Sequence, residues 1–128
     1  MLASLNDLDI LTGDIGNAYL NASYSENIFT VCGPEFGSEH QGKVAVIARA
    51  LYGLKSAGNL WRHHFATRLR EELGYLPYLV DPDVHMKQAT KLDGTKYWSY
   101  IIVYVDDMLC IDHDPKLKMK MISDIYTV

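Results

Sequence analysis

Tyr97-Trp98-Ser99-Tyr100-Ile101-Ile102-Val103-Tyr104-Val105-Asp106-Asp107-Met108-Leu109-Cys110-Ile111 is the stretch on which the fold turns. The run from Tyr97 to Val105 is rich in aromatic and β-branched side chains, and Met108 to Ile111 is a shorter run of the same kind; both compositions favour strands. Between them Asp106-Asp107 stands where a two-residue hairpin loop belongs, and aspartate tolerates turn geometry. The stretch therefore predicts two antiparallel strands with a pair of acids at their tip.

Upstream, Val84 to Lys87 reads as a further strand, and Asp93-Gly94 as the tight turn that leads into the quoted run. Ser56 begins a helix on which Trp61, Phe65, Leu69 and Leu73 recur at four-residue spacing, with Leu60 beside them and Gly74 as a C-cap. The stripe is ordinary core packing. The opposite face, with Arg62, His63, Arg70 and Glu71, reads first as solvated surface and second as a nucleic-acid contact. Lys43 to Ala50 has the composition of a buried strand, Gly33, Pro34 and Gly37 punctuate a loop, and residues 27–32 alternate in polarity as a strand does. Residues 8–15 predict a short strand that runs into a turn or single helical turn at Gly16 to Asn21. Downstream, Asp114-Pro115 caps a helix with the stripe Leu117, Met121 and Ile125. This order implies an α+β fold, an antiparallel sheet with helices packed on one face.

The chain of 128 residues suits a single domain, and 48% hydrophobic against 22% charged residues is a globular composition, not a disordered one. The longest apolar run, around Ile101 to Val105, is far shorter than the roughly 20 residues a membrane helix needs. Neither a membrane association nor a secretory leader is expected, which points to the cytoplasm or nucleus. Cys32 and Cys110 are then expected as buried thiols, and with no CxxC or HxxxH spacing a zinc site is not expected. The net charge of −4, from 12 basic and 16 acidic residues, speaks mildly against a nucleic-acid binder. Acids that converge on divalent metals would weaken that objection.

Two adjacent aspartates between apolar strands repel one another unless a cation compensates. Alone, the pair reads as a hairpin loop. A third acid, Asp14, also follows an apolar strand and precedes a glycine-bearing turn. If those strands are neighbours, Asp14, Asp106 and Asp107 meet at one edge, and an all-oxygen ligand set of this kind suits magnesium.

Tyr104-Val105-Asp106-Asp107 resembles the signature of reverse transcriptases: an aromatic residue, any residue, two aspartates. In the expected order upstream, Asp14-Ile15-Gly16-Asn17-Ala18-Tyr19-Leu20-Asn21 is similar to the segment of the first catalytic aspartate. Ala50-Leu51-Tyr52-Gly53-Leu54-Lys55-Ser56-Ala57-Gly58-Asn59-Leu60-Trp61 resembles a block peculiar to copia-type LTR retrotransposons, and Gly33-Pro34-Glu35-Phe36 and Asp81-Pro82-Asp83 resemble lesser landmarks. The resemblance covers about residues 8 to 114. It implies a polymerase palm-like domain, an RNA-directed DNA polymerase core of a retrotransposon.

The resemblance also implies roles. Asp14 and Asp106 bridge two magnesium ions, with manganese a possible substitute; Asp107 is a secondary carboxylate; the Ile15 carbonyl completes one metal's shell. Gly16, Asn17 and Ala18 form the turn that meets the incoming deoxynucleoside triphosphate, with the Asn17 and Ala18 amides facing its phosphates. Tyr19 stacks under the sugar and excludes a ribose 2′-hydroxyl. Tyr52, Gly53 and Lys55 lie near the nucleotide or template. The implied partners are an RNA or DNA template with its primer, and the remaining polyprotein regions: fingers, thumb, RNase H and integrase.

The chain departs from the family where Lys55-Ser56-Ala57-Gly58 stands for the common Lys-Gln-Ala-Pro or Lys-Gln-Ser-Pro, which puts the local loop shape in doubt. Asp14 also lies close to the start and Asp107 close to the end, so residues 1–128 are expected to form an incomplete domain with fingers and thumb missing. An inactive remnant that folds and weakly binds nucleic acid is therefore the alternative. A metal-dependent phosphatase or nuclease, and an interaction domain in which Asp106-Asp107 is merely a turn, are more distant ones.

Overall fold

A computed structural model describes residues 1–126. Its centre is the predicted hairpin: β6 (Lys96–Tyr104) and β7 (Asp107–Asp112) pair antiparallel, with Tyr104 opposite Asp107. The two-residue loop is therefore Val105-Asp106, not Asp106-Asp107, and Asp107 is the first residue of β7. One position of register separates the two readings, and in a strand that decides which face a side chain takes.

The five-stranded sheet runs β1-β7-β6-β5-β4, where β1 is Asp9–Asp14, β4 is Leu76–Pro77 and β5 is Val84–Thr90. Its strand pairs are antiparallel throughout. Strand alternation sends Ile101, Met108 and Cys110 to one face, where they join a core with Trp61, Phe65, Leu69 and Ile122 of the two longer helices. The other face carries Ile10, Trp98, Ile102 and Tyr104, all of them exposed. Both longer helices thus pack on one face of an antiparallel sheet, as the sequence predicts. A short helix, α1 (Leu2–Leu5), was not foreseen; Ala3 and Leu8 close a small cluster with Ile111 at the sheet end away from the hairpin tip.

Helix α2 (Ala57–Leu73) follows its four-residue stripe: Trp61, Phe65, Leu69 and Leu73 are all buried, each worth roughly 1.5–3 kcal/mol relative to exposure. Gly74 ends the helix at φ 72°, and Gly74 N–H and Tyr75 N–H donate to the Arg70 and Leu69 carbonyls. In α3 (Pro115–Ile125), Asp114 caps as predicted, its carboxylate accepting from the Leu117 amide at 3.1 Å. The predicted stripe of α3 holds only at Ile125, which packs against the core. Leu117 and Met121 are exposed, and the other inward residues are Pro115, Met119 and Ile122. The helix is apolar at several phases, and the sheet selects the one beginning at Pro115.

The predicted buried strand over 43–50 is also corrected. Only Val44–Val46 (β3) is a strand; it pairs with β2 (Phe29–Val31), and both lie at the surface, with Val44 67% exposed. Toward their base the two chains continue side by side, the Tyr24 and Ala50 amides donating to the Ala48 and Ala22 carbonyls. Cys32 and Cys110 are buried free thiols as expected, and burial first, then the charge of Asp112, raises the Cys110 thiol to about 12. No helix among the described residues is long and apolar enough to cross a membrane.

Candidate active site

The three acids meet at the hairpin tip. In the register of β1 with β7, Asp14 lies directly opposite Asp107, which sets their Cα atoms about 4.5–5.5 Å apart with both side chains on one face. One residue on, the Ile15 amide donates to the Asp106 carbonyl at 2.9 Å, which ties the end of β1 to the loop. Asp14 and Asp107 are exposed and Asp106 is half-buried. Alternation puts Asp14 and Asp107 on the face away from the longer helices, because Met108 joins the core and a Cβ on Gly13 would meet Met119 of α3.

Like charges directly opposite on neighbouring strands destabilise a sheet unless a cation offsets them. Among the described residues no lysine, arginine or histidine forms a salt bridge with any of the three acids. Exposed carboxylates that lack an internal counter-charge and supply only oxygen suit a hard divalent cation. The side chains do not form a ready-made cage: among the described residues no group of three histidine, cysteine or acidic side chains is drawn close enough to hold an ion. The backbone sets Asp14 opposite Asp107 and ties Ile15 to Asp106, while the carboxylates themselves stay apart.

The loop is under strain. Val105 adopts φ 60°, a left-handed conformation that costs a β-branched residue about 1–3 kcal/mol. Trp61 of α2 anchors it, its indole N–H donating to the Val105 carbonyl at 2.6 Å. Sequence reasoning took Trp61 only as core. The apolar spacing that signals the core carries no mark of the indole N–H, and only the fold reveals this second use.

Beside the acids, Ile15 is buried and Gly16 is open to solvent, and the chain turns through Asn17 in the left-handed region (φ 52°, ψ 38°) into a short 3-10 helix, Ala18–Asn21. The Asn21 side chain holds this turn by donating to the Asn17 carbonyl at 3.2 Å and the Ala18 carbonyl at 3.3 Å. Among the hydrogen bonds between described residues, none uses the amide of Asn17 or Ala18 as donor. Successive unspent amides in a turn form a concavity suited to anions.

Tyr19 follows, half-buried, its ring stacked on Tyr52 with centroids 4.2 Å apart and planes 14° from parallel. Ala50, paired with Ala22, brings the second segment alongside the first, so residues two or three positions beyond each come into contact. Loss of water raises the Tyr52 hydroxyl above its ordinary value, and the charges of Asp106, Tyr19 and Asp14 add to the effect. Gly53 (φ 93°) and Lys55 are exposed, and among the described residues Lys55 forms no salt bridge. Of that block, Tyr52 stacks on Tyr19; among the described residues no salt bridge or side-chain hydrogen bond joins Lys55 to them.

A cleft of about 180 Å³ lies under the loop, lined by Tyr19, Gly58, Trp61, Phe65, His85 and Val105 among others. Arg62, expected as solvated surface, pairs at its mouth with Asp83 at 2.5 Å. Such exposed pairs contribute little to stability.

A five-stranded antiparallel sheet with two helices on one face, and Asp14 opposite Asp107 at one end, is consistent with a palm-like fold. The family model for reverse transcriptase (RNA-dependent DNA polymerase) matches residues 1–127. The chain is 32% identical over 127 residues to a retrovirus-related Pol polyprotein from transposon TNT 1-94 of Nicotiana tabacum, covering 97% of this chain and 9% of that protein. It is 29% identical over 105 residues to a Pol polyprotein from transposon RE1 of Arabidopsis thaliana, covering 81% of this chain and 7% of that protein. A Ty5-1 transposon protein of Saccharomyces cerevisiae is 30% identical over 105 residues, covering 81% of this chain and 32% of that protein. No solved structure matches. The chain belongs to the reverse transcriptase family, of the kind carried by copia-type retrotransposons, and spans less than a tenth of the two Pol polyproteins.

Proposed function

We propose that this chain is the core of an RNA-directed DNA polymerase that joins a deoxynucleotide to a primer 3′-hydroxyl. The observation that carries the reading is the placement of Asp14 opposite Asp107, with the Ile15 amide bound to the Asp106 carbonyl. Two strands thereby set two carboxylates opposite each other, and the loop that carries the third is tied beside them, which supports a shared site. Asp14 and Asp106, with the Ile15 carbonyl, would hold two magnesium ions, and Asp107 would lend charge beside them. Magnesium bound there supplies Lewis-acid activation of the attacking hydroxyl and charge neutralisation at the leaving pyrophosphate.

The chain's own residues bind and orient. The amides of Asn17 and Ala18 donate to phosphate oxygens of the incoming triphosphate, a contact favoured by their lack of described acceptors. Tyr19 lies under the sugar and meets a 2′-hydroxyl with its ring. The exposed face with Trp98, Ile102 and Tyr104 is continuous with the acids and faces the primer–template or the remaining polyprotein. Positioning and charge stabilisation account for catalysis of this kind, with no covalent step on the protein.

Primer extension on an RNA template with magnesium tests the proposal. The chain should extend the primer, and Asp106→Asn should lower the rate by a factor of roughly 100 or more, the scale at which lost charge stabilisation registers. No extension by the unaltered chain, with nucleic-acid binding retained, would favour the inactive-remnant reading. Phosphate release without primer or template would favour a phosphatase.

A further inference from the structure

Tyr19 is held on two sides by the Leu51-to-Trp61 segment. Its ring lies flat on Tyr52, with centroids 4.2 Å apart and planes within 14°. At its far end the hydroxyl abuts Gly58, where an added Cβ would stand 3.3 Å from the Tyr19 oxygen. That distance is tight, so any larger residue at 58 obliges the ring or the helix start to shift. Ser56 fixes the segment, its hydroxyl donating to Glu26 at 2.6 Å and lying 2.9 Å from the Tyr24 hydroxyl. The ring has little freedom: one face is taken, its tip is confined, and the stretch confining it is pinned by Ser56 to Glu26 and Tyr24.

We infer that Tyr52 is a positioning residue for Tyr19, and that together with Gly58 it sets how closely the Tyr19 ring approaches the sugar of a bound nucleotide, hence how strongly ribose is rejected. This rests on the proposed polymerase reading and names what fixes its sugar selectivity. Stacked aromatic rings hold each other through contact area and a preferred offset, which an aliphatic side chain of similar bulk does not reproduce. Discrimination against one added hydroxyl depends on sub-ångström placement of the surface that meets it, so loss of the stack should change selectivity more than binding. The Tyr52 hydroxyl plays no part in the stack. Phenylalanine at 52 should therefore behave as tyrosine does.

The test uses the full chain with magnesium and no primer, so that nothing turns over. Deoxyguanosine triphosphate and guanosine triphosphate are titrated separately by calorimetry into the unaltered chain, Tyr52→Leu, Tyr52→Phe and Asp106→Asn. Tyr52 is 56% exposed, so thermal unfolding should be nearly unchanged in its variants. The expected result is a preference for the deoxynucleotide that falls about tenfold in Tyr52→Leu, the factor corresponding to about 1.4 kcal/mol, and is retained in Tyr52→Phe. Gly58→Ala, which pushes the ring from its other end, should also change the preference.

A preference kept in Tyr52→Leu overturns the inference, as does tighter binding of both nucleotides, which would mean that Tyr52 occupies the sugar's place. In either case magnesium-dependent binding that disappears in Asp106→Asn leaves the polymerase reading standing. If the unaltered chain binds neither nucleotide, both fall together.

Discussion

Val105 sits in the left-handed region, and the Trp61 indole holds its carbonyl from below. Strain persists only where neighbours over-determine it, and here the determining neighbour is one hydrogen bond from a buried ring. Trp61→Phe keeps most of the ring and removes the donor. It should cost about 2 kcal/mol in urea unfolding, the sum of a lost bond to a strained carbonyl and a slightly smaller core residue. A cost below roughly 0.5 kcal/mol, the range of ordinary surface changes, would mean that the indole does not anchor the turn. At this scale the sequence displayed the acids but not what holds them. The residue types of Asp14, Asp106 and Asp107 announce themselves by standing charged at the ends of apolar runs. Val105 gives no such sign, because a β-branched residue ending a strand run looks like one more strand position.

Helix α2 and strand β5 meet at His85, which is buried and rests edge-on against Phe65. Its Nδ1 has no hydrogen-bond partner among the described residues. Burial lowers its basicity first; Asp83 pulls it back up and Arg62 lowers it again. The folded chain thus disfavours the imidazolium, while the unfolded chain takes up a proton near the ordinary value of about 6.5. Stability from this group is therefore intact above that value and is lost as pH falls below it toward the lower folded value. His64 on the same helix, lowered chiefly by burial and then by Arg68, acts in the same direction. Chemical unfolding at pH 7 and pH 5 should show weaker stability at pH 5, with a difference that shrinks in His85→Leu. An unchanged difference in that variant would assign the pH dependence to the carboxylates instead.

The elements were legible to different degrees, for physical reasons. The α2 stripe has one dominant phase, so sequence located both the helix and its buried face. The α3 pattern is apolar at Leu117, Met119, Met121 and Ile122, and no phase dominates without knowing where the sheet lies. Val44 to Val46 looked like a buried strand because β-branched residues suit any pleated surface, covered or not.

The molecule as a whole separates its two sheet faces. Helices α2 and α3 cover one with a conventional core, and the other, apart from the small α1 cluster around Ile111, stays open from exposed Trp98 and Ile102 to Asp107 and Asp14. A net charge of −4 makes such a face a poor host for nucleic acid unless cations lodge among its carboxylates. The central claim is therefore that Asp14, Asp106 and Asp107 share divalent cations at one end of this face. Manganese, which is paramagnetic, tests it directly when titrated at substoichiometric amounts while backbone amide resonances are followed by NMR. The amides of Asp14, Ile15, Asp106 and Asp107 should broaden first and together, and should be spared in Asp106→Asn. Broadening that begins at surface acids such as Glu71 or Asp93, with the hairpin tip unaffected, would contradict the account.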